Sequence, residues 1–263
     1  MKWSNEYKVH YYYTDYNNIL KPGYIGRYMQ ETAWNALKTW GPAPSYLKEK
    51  NLAFILSKIS FKYYEQIYED DTIKVETWAN PPKMLMFPRN YRIYKDGKTA
   101  VEAASSWVLM DVKEKNILRP DALDSSIIVY DAEELDFTVQ KRFKMPETAA
   151  NNINNYSEYK VKSSDIDTYF HMNNVAYIDL ICDNLFSDDD IISTESRPEK
   201  RLISLDLNYN AEARFAQIIG LNKNIITHED TKEEEYFIRA NLKDSGNNCF
   251  EAKVVLTTGF LGG

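Results

Sequence analysis

Tyr7-Lys8-Val9 recurs as Tyr159-Lys160-Val161, an offset of 159 − 7 = 152 residues in a chain of 263. The same shift carries Asp15 onto Asp167, Ile25 onto Tyr177, Tyr28 onto Leu180 and Met29 onto Ile181. Each half therefore opens with a short strand-like run, then an Asp, then an apolar helix. A repeat of this length is a repeated domain, and domains usually run about 100–200 residues. The boundaries expected are an N-terminal domain over 1–146, a linker over 147–155 rich in Asn and without periodicity, and a C-terminal domain over 156–263.

The element pattern is the same in both halves. Pro22 stands where a helix begins, since its missing N–H costs nothing there. Ile25, Tyr28, Met29, Thr32, Ala33, Ala36, Leu37 and Trp40 follow at steps of three and four, and Gly41-Pro42 closes the run. Val175, Ile178, Cys182 and Leu185 give the second half its helix, with Asn173 or Asn174 as N-cap. Strands are expected at Phe54–Tyr64, Thr72–Ala79, Met86–Tyr94 and Ala100–Asp111, with a hairpin turn at Lys95-Asp96-Gly97-Lys98. Their counterparts are Arg201–Tyr209, Gln217–Leu221, Tyr236–Leu242 and Phe250–Thr258, with a turn at Asp244-Ser245-Gly246-Asn247. One helix and a run of sequential strands per half make an α+β layer, an antiparallel sheet folded around a helix.

Composition removes several function classes. A net charge of −7 argues against a general nucleic-acid binder, which shows a basic excess. No run approaches about 20 apolar residues, so no membrane insertion is expected. The start, Met1 to Tyr13, lacks the apolar core of a signal peptide. Two cysteines, Cys182 and Cys249, make neither a disulfide framework nor a metal cage, and fit a reducing cytoplasmic setting. His10, His171 and His228 lack metal-ligand spacing, so no metal and no cofactor is expected. The run Asp188-Asp189-Asp190 lacks the glycine and spacing of a calcium loop and reads as a solvated turn. There is no Gly-x-Ser-x-Gly elbow and no glycine-rich phosphate loop.

What remains is the segment Ser164 to Tyr177, which packs Asp165, Asp167, His171, Asn173 and Asn174 into the turn before a helix. A histidine at a helix start is expected to favour the neutral imidazole, able to act as base or acceptor. Backbone N–H groups there can hold a developing oxyanion. An Asp four residues earlier can orient the ring or a water. Taken alone, the same residues also fit an ordinary polar cap with His171 bonded to a carbonyl.

Asp165-Ile166-Asp167, His171-Met172-Asn173-Asn174 and Tyr177 resemble the signature of the catalytic half of acyl-acyl carrier protein thioesterases. So do Ala103 to Asp111, followed by Asn116-Ile117-Leu118-Arg119-Pro120, and Leu207-Asn208-Tyr209-Asn210-Ala211-Glu212, in family order. The resemblance implies two tandem hot-dog domains and hydrolysis that frees fatty acid from acyl carrier protein. It places the catalytic Asp on Asp167, the His on His171, and the Glu on Glu212 in a strand across from the second helix. In this reading Glu212 activates a water, His171 accepts or relays the proton, and helix-start amides near Asn173 and Asn174 polarise the carbonyl. Where the family has Asn two residues before the His, this chain has Tyr169, whose hydroxyl or backbone must substitute. Plant members carry Cys after the Glu; here Ala213 follows, so an acyl-cysteine intermediate is not expected.

The shift of 152 puts Ile19, flanked by Asn17 and Asn18, where the second half has His171, so the first half is expected to bind and not to react. The family's acyl tail runs into that half, making Ile25, Tyr28, Met29, Thr32, Ala33 and Trp34 a candidate wall. An acidic carrier protein would need a local basic patch, for which Lys141-Arg142-Phe143-Lys144 and Lys83 with Arg89 are candidates. A homodimer is compatible with this reading. Alternatives are hydrolysis of acyl-coenzyme A, a non-catalytic acyl-thioester-binding protein, which the Tyr169 departure favours, and a dehydratase, which the motif order disfavours.

Overall fold

A computed structural model describes residues 1–140, 146, 156–185 and 200–258. The linker 147–155, the acidic run at Asp188 and the basic run at Lys141 lie outside the described residues. The chain divides into two compact units, Met1–Gln140 and Lys141–Gly263.

The N-terminal unit runs β1 (Trp3–Lys8), α1 (Pro22–Trp40), α2 (Pro44–Glu49), β2 (Leu52–Tyr63), β3 (Thr72–Ala79), β4 (Met86–Lys95), β5 (Lys98–Asp111) and β6 (Asn116–Leu118). Its strands lie in the order β1-β3-β4-β5-β2, antiparallel throughout, with β6 added to β5. Pro22 does stand at the start of α1, and Gly23, Ile25, Gly26, Met29, Thr32 and Ala36 form its buried face, the one-sided stripe a helix lays on a sheet. Asp96 and Gly97 both take positive φ, 49° and 75°, as a tight hairpin between β4 and β5 requires.

The C-terminal unit repeats the plan with β7 (Tyr156–Lys160), α3 (Asn174–Asp183), β8 (Lys200–Tyr209), β9 (Ile218–His228), β10 (Glu233–Leu242) and β11 (Asn248–Thr258). The order β7-β9-β10-β11-β8 is that of the first sheet, element for element, again antiparallel. Two tandem hot-dog domains, α+β in class, are thus what the chain forms. Asn173 caps α3, its Oδ1 accepting the Val175 N–H at 2.9 Å. Val175, Tyr177, Ile178, Leu180 and Ile181 are buried, which makes α3 apolar on most sides.

Two elements differ from the sequence reading. β9 extends to His228, past Leu221, because Asn222, Lys223 and Asn224 pair with Arg239, Ile238 and Phe237 despite breaking the apolar run. β10 begins at Glu233, whose neighbours Glu234 and Glu235 are poor strand formers; Lys200 and Lys253 neutralise them at 3.2 Å and 2.6 Å. The short α2 and β6 carry no periodicity long enough to read.

Candidate active site

The loop between β7 and α3 is built by its own polar groups. Asp165 Oδ2 accepts the Lys162 N–H and the Tyr159 hydroxyl, each at 2.7 Å, while its carbonyl accepts the Asn173 N–H at 2.8 Å. Asp167 Oδ1 accepts the N–H of Tyr169 at 2.8 Å and of His171 at 3.4 Å. The Asp167 N–H goes to the His171 carbonyl at 2.9 Å, and Phe170 turns the chain with φ 64°. The side-chain acceptor mimics a backbone turn and presents His171 at the tip of a small closed ring.

The N-terminal unit builds the same ring without a histidine. Asp15 Oδ1 accepts the N–H of Asn17 at 2.8 Å and of Ile19 at 3.0 Å. The Asp15 N–H meets the Ile19 carbonyl at 2.8 Å, and Asn18 takes φ 61°. The repeat read from three residues therefore extends to individual hydrogen bonds.

Glu212 does not lie in a strand: β8 ends at Tyr209, and Glu212 belongs to the loop that follows. That loop is pinned at both ends. The N–H groups of Asn210 and Ala211 both donate to the Cys249 carbonyl, at 2.9 Å and 3.0 Å. Arg214 N–H donates to Gln217 Oε1 at 2.7 Å, and Ala216, with φ 67°, donates to the Val161 carbonyl at 3.0 Å. Between these anchors the Met172 N–H donates to the Ala213 carbonyl at 2.8 Å, which sets the residue after His171 against the residue after Glu212. The side chains meet accordingly: His171 Nε2 is 3.0 Å from Glu212 Oε2, and the two remain 27% and 48% exposed. A hydrogen-bonded imidazole and carboxylate open to solvent can hold, accept and pass a proton.

Other expected site residues are placed less directly. Asp167 acts on His171 through the backbone amide, and its carboxylate bonds run to N–H groups of the loop. The Tyr169 phenol is 66% exposed, while its N–H closes the Asp167 turn. His171 stands two residues before the N-cap, outside the first turn of α3. Among the helix-start amides, Asn173 is committed to Asp165, and Val175 and Ala176 donate to Asn173 oxygens. That narrows the candidate oxyanion donors to the Asn174 N–H. Tyr177, the last residue of the motif, also shapes the site. Its hydroxyl accepts the Ala213 N–H at 3.0 Å.

On α1, Ile25 and Met29 are buried, Thr32 is fully so, and Tyr28 and Ala33 are half-buried. Thr32 Oγ1 donates to the Tyr28 carbonyl at 2.7 Å and lies 3.0 Å from the Tyr7 hydroxyl. Tyr28 stacks on Tyr7 with ring centroids 4.4 Å apart. Trp34 departs from the expected wall, being 39% exposed under the Lys38 ammonium. The pairing of Lys83 with Arg89 as a basic patch is also overturned. Lys83 is neutralised by Glu134 at 2.6 Å, and Arg89 is drawn into the sheet against Thr77, where burial lowers its pKa.

Neither cysteine resembles a nucleophile. Burial pushes the Cys249 thiol up to about 11 and raises that of Cys182, to which Asp179 and Asp183 add. Among the described residues no group of three His, Cys, Asp or Glu side chains is placed to hold a metal, and no helix is long and apolar enough to cross a membrane.

Comparison with known proteins bears on both units. Residues 1–122 match the acyl-ACP thioesterase N-terminal domain and residues 148–257 the acyl-ACP thioesterase C-terminal domain. Among curated relatives, the chloroplastic palmitoyl-acyl carrier protein thioesterase of Cuphea hookeriana is 25% identical over 207 residues, 72% of this chain and 46% of the relative. That of Arabidopsis thaliana is 26% identical over 173 residues, 61% of this chain and 41% of the relative. The match spans a little under half the length of these two relatives. A crystal structure of an acyl-ACP thioesterase from Bacteroides thetaiotaomicron superposes with a TM-score of 0.81 at 21% identity, covering 97% of each chain. The 12:0-ACP thioesterase from Umbellularia californica gives 0.83 at 15% identity, covering 98% of this chain and 94% of that one. At those identities the likeness is one of fold.

Proposed function

Because the chain belongs to the acyl-ACP thioesterase family, we propose that it hydrolyses the thioester of acyl-acyl carrier protein, with His171 and Glu212 as the reacting pair. The observation that carries this reading is the 3.0 Å contact between His171 Nε2 and Glu212 Oε2 in a solvent-open loop cluster. Only the C-terminal unit has these groups; Ile19 takes the place of His171 in the N-terminal ring.

The mechanism proposed follows from that contact. A water held by Glu212 attacks the thioester carbonyl carbon as its proton moves to the carboxylate. His171, sharing a hydrogen bond with that carboxylate, takes up the proton and delivers it to the departing sulfur. The C–S bond breaks, and fatty acid and carrier thiol leave; water supplies both the new hydroxyl and the sulfur's proton. The Asn174 N–H at the start of α3 stabilises the oxyanion, a contribution usually worth about 10²–10³-fold. No group outside the chain and the water is needed.

For the acyl tail we assign the α1 face of Ile25, Tyr28, Met29, Thr32 and Ala33 in the N-terminal unit. Its support is compositional: flexible Met29 and small Ala33 stand on α1, whose buried face includes Ile25, Met29 and Thr32. Acyl carrier protein is the proposed donor. The test is release of thiol and free fatty acid from a panel of acyl carrier protein thioesters of varied length, with the matching acyl-coenzyme A thioesters in parallel. Carrier-linked substrates are expected to turn over faster. Binding without release from any thioester rules the hydrolase reading out, and faster turnover of the coenzyme A thioesters rules out the carrier as donor.

A further inference from the structure

We propose that Tyr177 is the positioning residue that holds Glu212 against His171; the proposal rests on the hydrolytic role assigned to that pair. The Tyr177 hydroxyl accepts the Ala213 N–H at 3.0 Å, and the Ala213 carbonyl accepts the Met172 N–H at 2.8 Å. Ala213 is fully buried, and it is the residue next to Glu212. Both polar backbone groups of Ala213 are thus gripped from the His171 side, one by the residue after the histidine and one by the first turn of α3. Tyr177 is itself held rigidly. It is 3% exposed, with the rings of Tyr209 and Phe250 set edge-on to it at 5.4 Å and 5.6 Å. Its hydroxyl also meets the Cys249 sulfur at 3.9 Å.

The N-terminal unit supplies the control. There the Leu20 N–H donates to the Ile67 carbonyl at 2.8 Å, the counterpart of Met172 to Ala213. Asp70, with φ 66°, donates to the Val9 carbonyl at 3.0 Å, the counterpart of Ala216 to Val161. These bonds fix the alignment of the second loop at 213 − 67 = 146, which sets Gln66 opposite Glu212. The offset of 152 sets Ile19 opposite His171 and Ile25 opposite Tyr177. The same backbone frame therefore stands in both units, and in the first it stands without a hydroxyl at Tyr177's place. That hydroxyl occurs with the imidazole and the carboxylate, and it bonds the residue beside the carboxylate. Reacting groups must be held to within about 0.5 Å, and a displacement near 1 Å can cost about 10²-fold, so a loosened Ala213 reaches turnover through Glu212.

The test uses the full chain and the Tyr177→Phe variant, with Tyr236→Phe as control. Tyr236 is another buried tyrosine of the same unit, whose hydroxyl bonds Glu234 at 2.6 Å, on strand β10 and not in either of the two loops that carry the pair. Two quantities are read: steady-state kinetics on acyl carrier protein thioester, and amide hydrogen exchange at Ala213. Tyr177→Phe is expected to lower kcat about 10- to 10²-fold with KM within twofold, and to speed Ala213 exchange at least about tenfold; Tyr236→Phe changes neither. Either readout left unmoved by Tyr177→Phe overturns the proposal. If the wild type releases no thiol from any thioester, the hydrolase reading has failed on its own, and Ala213 exchange still decides whether Tyr177 is the anchor. Should Tyr177→Phe not fold, the wild type decides: Ala213 exchanging at the rate of an open loop amide overturns the anchor, and strong protection sustains it.

Discussion

Asp15 and Asp167 accept backbone N–H groups in the same pattern: each Oδ1 takes the amide two residues on at 2.8 Å and the amide four residues on at 3.0 Å and 3.4 Å respectively. Since Asp15 does this in a ring that carries no histidine, the shared function is to shape the ring. An Asn at 167 keeps the accepting oxygen and loses only the charge; an Ala loses both bonds. Asp167→Asn is therefore expected to keep kcat within about threefold, while Asp167→Ala lowers it about tenfold and costs about 1 kcal/mol of stability, as loss of a capping side chain does. Equal, large losses of kcat in both variants would show instead that the Asp167 charge takes part in the reaction.

His171 and Glu212 are expected to fail as a unit. His171→Ala and Glu212→Gln should each lower kcat by about 10²–10⁴-fold, the usual contribution of a positioned acid or base. The double variant should cost little more than the worse single one, because groups sharing one proton pathway are not additive. Tm should hardly move, since the pair is half exposed and such contacts contribute little. Multiplicative losses in the double variant would assign the two residues to separate steps.

Much of the fold is legible in the sequence because its signals are local. Pro22 and Gly41 bracket α1, Asp96-Gly97 can hardly be anything but a hairpin turn, an alternating run marks β3, and a near-continuous buried run marks β5. The far half of β9 is not legible, since Asn222 to Asn224 are kept in the strand by pairing to β10 and not by their own preference. The site divides along the same line. His171, Asn173 and Asn174 announce themselves by crowding polar groups before a helix. Glu212 is one carboxylate among many until the Met172 to Ala213 bond brings its loop to the histidine. The Tyr177 hydroxyl is hidden further, because a tyrosine among Val175, Ile178 and Ile181 reads as packing, and only the partner N–H of Ala213 gives it another role.

The cysteines are expected to be bystanders. With burial pushing Cys249 up to about 11, its thiolate at pH 7.5 is on the order of one molecule in a few thousand. Cys182 is raised as well. Treatment with iodoacetamide at pH 7.5 should leave about nine-tenths of the activity, and Cys182→Ser should match the wild type in kcat. Rapid stoichiometric inactivation with one modified cysteine would reopen a covalent route.

Asp15 provides a pH signature of the N-terminal ring. Burial raises its pKa, an effect the Ile19 and Asn17 amides only partly offset. The folded state therefore binds the Asp15 proton more tightly than the unfolded state does. Below the unfolded pKa both states are protonated and no penalty exists; as pH rises through the folded pKa, the charge must form in the half-buried ring and stability falls. Asp15→Asn keeps the accepting oxygen without the charge. It should raise Tm at pH 7 by about a degree, solvent keeping the gain small, and the gain should vanish as pH falls through the raised Asp15 pKa. A gain that grows on acidification would reverse the sign and refute the assignment.

Chain-length preference tests the acyl-tail face. Thr32 is locked by its bonds to Tyr28 and Tyr7, and Ile25 is sealed in the core, so neither is free to reshape a pocket. Ala33 is half-buried one position beyond Thr32, and its short side chain leaves the most room to add bulk. Each methylene of a tail contributes about 0.8 kcal/mol when buried. A phenyl ring that excludes the last two carbons thus removes about 1.6 kcal/mol, or about 15-fold in kcat/KM, from the longest substrate and little from one two carbons shorter. Ala33→Phe should accordingly shift the released fatty acids toward shorter chains by at least two carbons, with kcat on the shorter substrate near the wild-type value because His171 and Glu212 are untouched. A product profile identical to the wild type's, in a variant that folds, would place the tail elsewhere; a uniform loss on all lengths would mean that Ala33 supports the N-terminal fold and not the tail.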